Sequence, residues 1–132
     1  MTVPLRTGTA GFLRLVLAVD AAVTGVNGLA YLVAAGLLSD LLGPGETPLR
    51  AIGIFLIGYG IAVGLLASRP RPAEPGTRAV IAANAAWAVA SVVVVAAGLL
   101  TFTTLGAVWA ILQALVVAAF AALQVAGLRK LR

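Results

Sequence analysis

Four long apolar runs, approximately residues 12–38, 49–68, 79–100 and 104–127, leave this chain very few ways to fold. The hydrocarbon core of a bilayer is about 30 Å thick and takes about 20 helical residues to cross; each run is long enough. Within hydrocarbon every backbone N–H and C=O must find its partner inside the segment, which selects helices. Composition rules out a water-facing exterior, since only 10% of the 132 residues are charged, whereas soluble domains carry about a quarter. The expected fold is therefore all-α. A single transmembrane domain covers 1–132, with four helices in an up-down bundle that reads as two tandem helical hairpins.

The breaks between runs are explicit. Gly43, Pro44, Gly45 and Pro48 form a turn after the first span. Arg69, Pro70, Arg71, Pro72, Pro75 and Gly76 make a rigid basic connector after the second, because proline cannot continue a helix interior. The third break is only Thr101, Phe102, Thr103 and Thr104 before Gly106, so spans three and four are expected to form a tight antiparallel hairpin. The first run is longer than a signal-peptide core and carries Asp20, so it is expected to remain as a span.

Basic residues set the expected orientation. Arg6, Arg14, Arg69, Arg71, Arg78, Arg129, Lys130 and Arg132 fall on one side, and Arg50 alone on the other. Positive-inside asymmetry then places both termini in the cytoplasm of a multi-pass protein of the inner (plasma) membrane. The net charge of +5 sits at the ends of the apolar runs. Its expected partners are anionic headgroups of the cytoplasmic leaflet, with no nucleic acid. The chain has no cysteine and no histidine, which excludes disulfides, imidazole or thiolate metal ligation, and Cys or His nucleophiles. No cofactor and no metal are expected.

Within the apolar runs one carboxylate stands out. Asp20 lies among Ala, Val, Leu and Gly, and a charge at membrane depth costs about 2.5 kcal/mol or more on insertion scales. Such a group faces a partner or a water-filled cavity, which makes Asp20 the candidate functional residue. Desolvation disfavours its charged form, and no arginine within its own helical turn offsets this. At 100° per residue Asp20, Thr24, Asn27 and Tyr31 fall within about 60° of one another, one polar stripe on span one. On span three Asn84 and Ser91 align with Trp87 on the flank, and on span four Trp109, Gln113, Phe120 and Gln124 share a face.

Depth follows from the 1.5 Å helical rise. Asp20 and Asn84 lie roughly 8–12 Å from the cytoplasmic ends, with Gln124 somewhat shallower; Asn27 and Gln113 lie roughly 20 Å in. Two layers are expected: Asp20 with Asn84 and Gln124, and Asn27 with Gln113. Asn, Gln and Thr often bridge transmembrane helices for purely structural reasons, at about 0.6 kcal/mol per contact. A protonated Asp20 bonded to Asn84 is a structural alternative to a functional acid.

Two further patterns concern packing. Arg14 followed by Ala18-Val19-Asp20-Ala21-Ala22 parallels Arg78 followed by Ala82-Ala83-Asn84-Ala85-Ala86 at one constant offset. Two hairpins related by an axis along the membrane normal produce such a pattern, and so does the alanine bias of the chain. On span two Gly60, Gly64 and Ser68 repeat every four residues, with Gly53 near the same face. A ridge of small residues lets a second backbone approach closely, within the bundle or in a dimer. Tyr59 beside it reads as a packed hydroxyl, Trp109 as an outer-interface residue, and Arg50 as an i,i+4 partner of Glu46.

The segments Asp20–Tyr31 (DAAVTGVNGLAY), Asn84-Ala85-Ala86-Trp87 and Trp109–Gln113 resemble small uncharacterised four-span integral membrane proteins of high-GC bacteria. That resemblance covers most of the chain and implies the fold without an activity. The lone acid in span one is faintly similar to that of small multidrug resistance transporters, whose surrounding motif is absent here. Three function classes remain open. The first is a non-catalytic assembly or accessory component, as a homo-oligomer or with a membrane partner subunit. The second is a proton- or cation-coupled transporter or channel subunit using Asp20. The third is an intramembrane lipid or isoprenoid enzyme with Asp20 as general acid, which lacks a second acid or base.

Overall fold

The computed structural model describes residues 3–131, of which 3–9 are described as backbone; the side chain of Arg6 and the whole of Arg132 lie outside the described residues. Five helices form: α1 Val3–Val33, α2 Ala35–Leu42, α3 Glu46–Ala67, α4 Glu74–Ala97 and α5 Thr104–Lys130, with no strand among the described residues. Four stretches are long and apolar enough to cross a membrane: Ala10–Val33, Glu46–Ala67, Glu74–Ala97 and Thr104–Lys130. The exposed surface of these helices carries Leu15, Val26, Leu29, Ile54, Ile61, Leu65, Val89 and Leu115, an apolar exterior suited to lipid.

The helix ends explain where the boundaries differ from the sequence reading. The first span does not run unbroken to residue 38: the helix breaks at Ala34 (φ −109°, ψ 27°) and α2 continues as a separate short helix. α2 buries Ala35 and Leu42 and lies across one end of the bundle between α3 and α5. Gly43, at φ +106°, terminates it in a conformation that L side chains rarely adopt. α4 begins inside the predicted connector, at Glu74, with Pro75 in its first turn. Proline is pre-set for that position and an acid there complements the helix dipole. The same helix stops at Gly98 (φ +66°), where Leu99 N donates to Val94 O at 3.1 Å and Gly98 N to Val95 O at 3.3 Å, a Schellman closure. Thr103 caps α5 by accepting from Gly106 N at 2.9 Å, and its own N–H donates to Leu42 O at 2.9 Å.

α1 is the central helix, packed along α3 on one side and against α5 on the other; α4 packs on α5, while α3 and α4, although consecutive, diverge. The α1–α3 contact is a glycine crossing. A Cβ on Gly53 would lie 2.7 Å from Gly28 O, and one on Gly28 would lie 2.8 Å from Gly53 O. Farther along, a Cβ on Gly60 would meet Gly25 N at 3.1 Å. Without a hydrophobic drive between helices in lipid, such close backbone approach supplies the van der Waals contact that holds them. At the arginine-rich end Leu13, Leu17, Val63, Ala67, Val80 and Leu128 form a dry core.

Candidate functional site

Asp20 is 1% exposed and Gln124 fully buried, with Asn84 close behind at 4%. α1, α4 and α5 bring these three side chains into one layer. Asp20 Oδ2 accepts from Asn84 Nδ2 at 2.8 Å and from Gln124 Nε2 at 2.7 Å. Asp20 Oδ1 accepts from Thr24 Oγ1, one turn along the same helix, at 3.0 Å. Asn84 Nδ2 also donates to Gln124 Oε1 at 3.0 Å, so both its hydrogens are used. Among the described residues every donor to Asp20 is neutral. Arg14 turns away from it and donates Nε to Ala67 O at the end of α3, at 3.0 Å.

Tyr59 joins this layer from α3. Its hydroxyl lies 3.1 Å from Asn84 Oδ1 and 3.2 Å from Val80 O. Sequence reasoning placed it only as a packed hydroxyl. Counting from the end of α3 at Ala67 puts Tyr59 about 12 Å deep at 1.5 Å per residue, the depth already assigned to Asp20 and Asn84. The same arithmetic applied to span two finds it. The pairing is also symmetric: Gln124 of α5 reaches Asp20 of α1, and Tyr59 of α3 reaches Asn84 of α4. In each case the second helix of one hairpin bonds the first helix of the other.

A second layer lies nearer α2. Asn27 Nδ2 donates to Gln113 Oε1 at 2.9 Å, and Trp109 Nε1 donates to Tyr31 Oη at 2.7 Å. All eight residues proposed for the polar layers line the bundle interior or its cavities. Ser91, aligned with Asn84 in sequence, instead spends its hydroxyl on Trp87 O at 2.8 Å. The predicted small-residue ridge is only partly a contact. Gly53 and Gly60 are buried against α1, whereas a Cβ on Gly64 would meet Ala21 at an ordinary 3.7 Å. Ser68 is exposed and bonds Leu65 O at 2.6 Å, outside the crossing. Toward that end side chains, not backbones, fill the α1–α3 contact, with Leu13 and Leu17 against Val63 and Ala67. Gly28 is the close partner on α1, with Gly25 one turn before it against Gly60; the i,i+3 spacing of these two glycines on span one is the sequence signal for that face.

The divergence of α3 and α4 leaves a groove of about 700 Å³ at the arginine-rich end, lined by Tyr59, Val63, Leu66, Arg69, Arg71 and Val80, and two smaller adjoining cavities beyond it. One, of about 70 Å³, is floored by Thr24, Asn27, Asn84 and Gln113. The other, of about 200 Å³, lies nearer α2 and shares Tyr31, Trp87 and Gln113 with the first. Asp20 lines neither. Across the seam Trp87 of α4 stacks on Phe55 of α3, centroids 5.7 Å apart and planes 10° from parallel; Phe55 in turn stacks on Tyr59 at 5.9 Å. Asp40, Glu46 and Glu74 are exposed, with Glu46 paired to Arg50 at 2.8 Å as the spacing suggests, so no second acid reaches Asp20. The chain matches no family model, no curated protein and no solved structure.

Proposed function

We propose that this chain is a non-catalytic integral membrane component, an assembly or accessory subunit in which Asp20 ties helices together and does not react. One observation carries this reading: both carboxylate oxygens are engaged by Thr24, Asn84 and Gln124, while Asp20 lines neither cavity. A general acid has to come within hydrogen-bond reach of its substrate, and a transported ion has to reach its ligand. The asymmetry of basic residues supports cytoplasmic termini and contact of the arginine-rich end with anionic headgroups.

A second reading, proton or cation passage, draws on a different observation. Thr24 both bonds Asp20 and lines the smaller cavity, which continues past Asn27 and Gln113 toward Tyr31. On the other side of Asp20 lie the packed side chains of Leu13, Leu17 and Val63, and the groove of about 700 Å³ between α3 and α4 comes no nearer than Tyr59, the partner of Asn84. Purified protein in liposomes loaded with a pH-sensitive dye separates the two. The accessory reading expects proton and potassium leak equal to that of empty liposomes, for the wild type and for Asp20→Asn alike. A flux present in the wild type and abolished in a folded Asp20→Asn variant would overturn it in favour of passage.

A further inference from the structure

We propose that the paired cavities between α3 and α4 are a binding site for an uncharged single-chain amphiphile whose head both accepts and donates hydrogen bonds, of the monoacylglycerol type. The inference is independent of what Asp20 does, because it rests on groups that the protein leaves unspent. Asn27 and Gln113 share one bond, Nδ2 to Oε1. Asn27 Oδ1 and Gln113 Nε2 then have no partner among the described residues. Tyr31 accepts from Trp109, and its own O–H likewise donates to nothing among the described residues. Three polar groups, two donors and one acceptor, are thus gathered on residues that line one cavity.

Their depth makes this costly. Gln113 lies nine residues into α5, about 14 Å along the axis, where water is scarce and a polar group open to the cavity is costly to leave without a partner. A head with a carbonyl or ether oxygen for Gln113 Nε2 and Tyr31 O–H, and a hydroxyl for Asn27 Oδ1, satisfies all three. Among the described residues no Asp, Glu, Lys or Arg lines either cavity, so a charged head would enter without a counter-charge. The other polar residues of the lining, Thr24, Tyr59, Asn84 and Ser91, spend their side chains within the protein, and the rest of the walls are apolar, among them Ile52, Leu56 and Val94. Because α3 and α4 diverge, a hydrocarbon tail can leave sideways through the seam into the bilayer, past the Phe55–Trp87 stack.

The chain's two tryptophans, Trp87 and Trp109, both line the larger cavity, so intrinsic fluorescence reports occupancy directly. The full chain in detergent micelles is titrated with monoolein and, separately, with oleate, and stoichiometry is read by native mass spectrometry. Expected are a saturable fluorescence change with one monoolein retained, and oleate at least tenfold weaker at neutral pH. Gln113→Leu should weaken monoolein at least tenfold, and Ala90→Phe, which fills the larger cavity away from the polar groups, should abolish retention. The comparison of the two lipids on the unaltered protein stands even if a variant fails to fold. Non-saturable partition, equal or tighter binding of oleate, or cavities that hold water alone would each overturn the proposal.

Discussion

Replacing Gly53 by alanine tests whether the α1–α3 crossing is a contact between backbones. The new Cβ would lie 2.7 Å from Gly28 O, 2.9 Å from Leu32 N and 3.2 Å from the Tyr31 Cβ. Two of these neighbours are main-chain atoms, which no rotamer change can move. Ordinary Cβ contacts begin at 3.4 Å, so the helices must part by about 0.7 Å, a forced overpacking of the kind that costs about 1–3 kcal/mol. Alanine also gains up to about 1 kcal/mol of helix propensity over glycine, which offsets part of that loss. Gly58 on the same helix supplies the control: it is exposed, and a Cβ there meets nothing within 4 Å. Since both variants gain the same propensity, the difference between them isolates the clash. Equilibrium unfolding by sodium dodecyl sulfate in mixed micelles, followed by circular dichroism, should place Gly53→Ala about 1–3 kcal/mol below Gly58→Ala. Equal stabilities would refute a close α1–α3 approach at Gly53 and, with it, the central position of α1.

Four further outcomes are expected. Asp20→Asn should unfold within about 0.5 kcal/mol of wild type, since its amide oxygen can still accept from Asn84 and Gln124 and its NH₂ can donate to the Thr24 hydroxyl. Asp20→Ala removes three hydrogen bonds and should cost about 2 kcal/mol at the usual 0.6 per intramembrane bond, read in the same titration. Thr103→Val removes the cap on Gly106 N and the bond to Leu41 O; about 1 kcal/mol of loss is expected, seen as a lower thermal midpoint in detergent. A reporter fused after Arg132 should be active only in its cytoplasmic form, and an outward-facing C-terminus would contradict the orientation drawn from the basic residues.

The pairing of Asp20 with Asn84 and Gln124, and of Asn27 with Gln113, was legible before any coordinates because it depends on local quantities alone. A helix rises 1.5 Å and turns 100° per residue whatever surrounds it, so the sequence assigns every polar side chain a depth and an azimuth. Hydrocarbon then leaves polar groups of equal depth little choice of partner. The number of spans was legible for the same reason: length and apolarity are properties of a segment, not of its neighbours.

Lateral arrangement has no such local source. A polar stripe turns its helix toward the bundle interior but does not say which helix lies beside which, and lipid offers no hydrophobic drive to order the apolar faces. Their order is settled by where backbones fit together, as at Gly28 and Gly53, and that is a matter of two surfaces meeting. Hence only the tertiary structure decided that α1 would be central, that the close crossing would end before Gly64 and Ser68, and that α2 would break away at Ala34 to cover one end of the bundle. It also decided that consecutive helices α3 and α4 would diverge, which opens the seam beside Asn27, Tyr31 and Gln113. The sequence by itself determined which polar groups occupy the membrane interior and at what depth; the packing determined which of them were spent on one another and which were left facing a cavity.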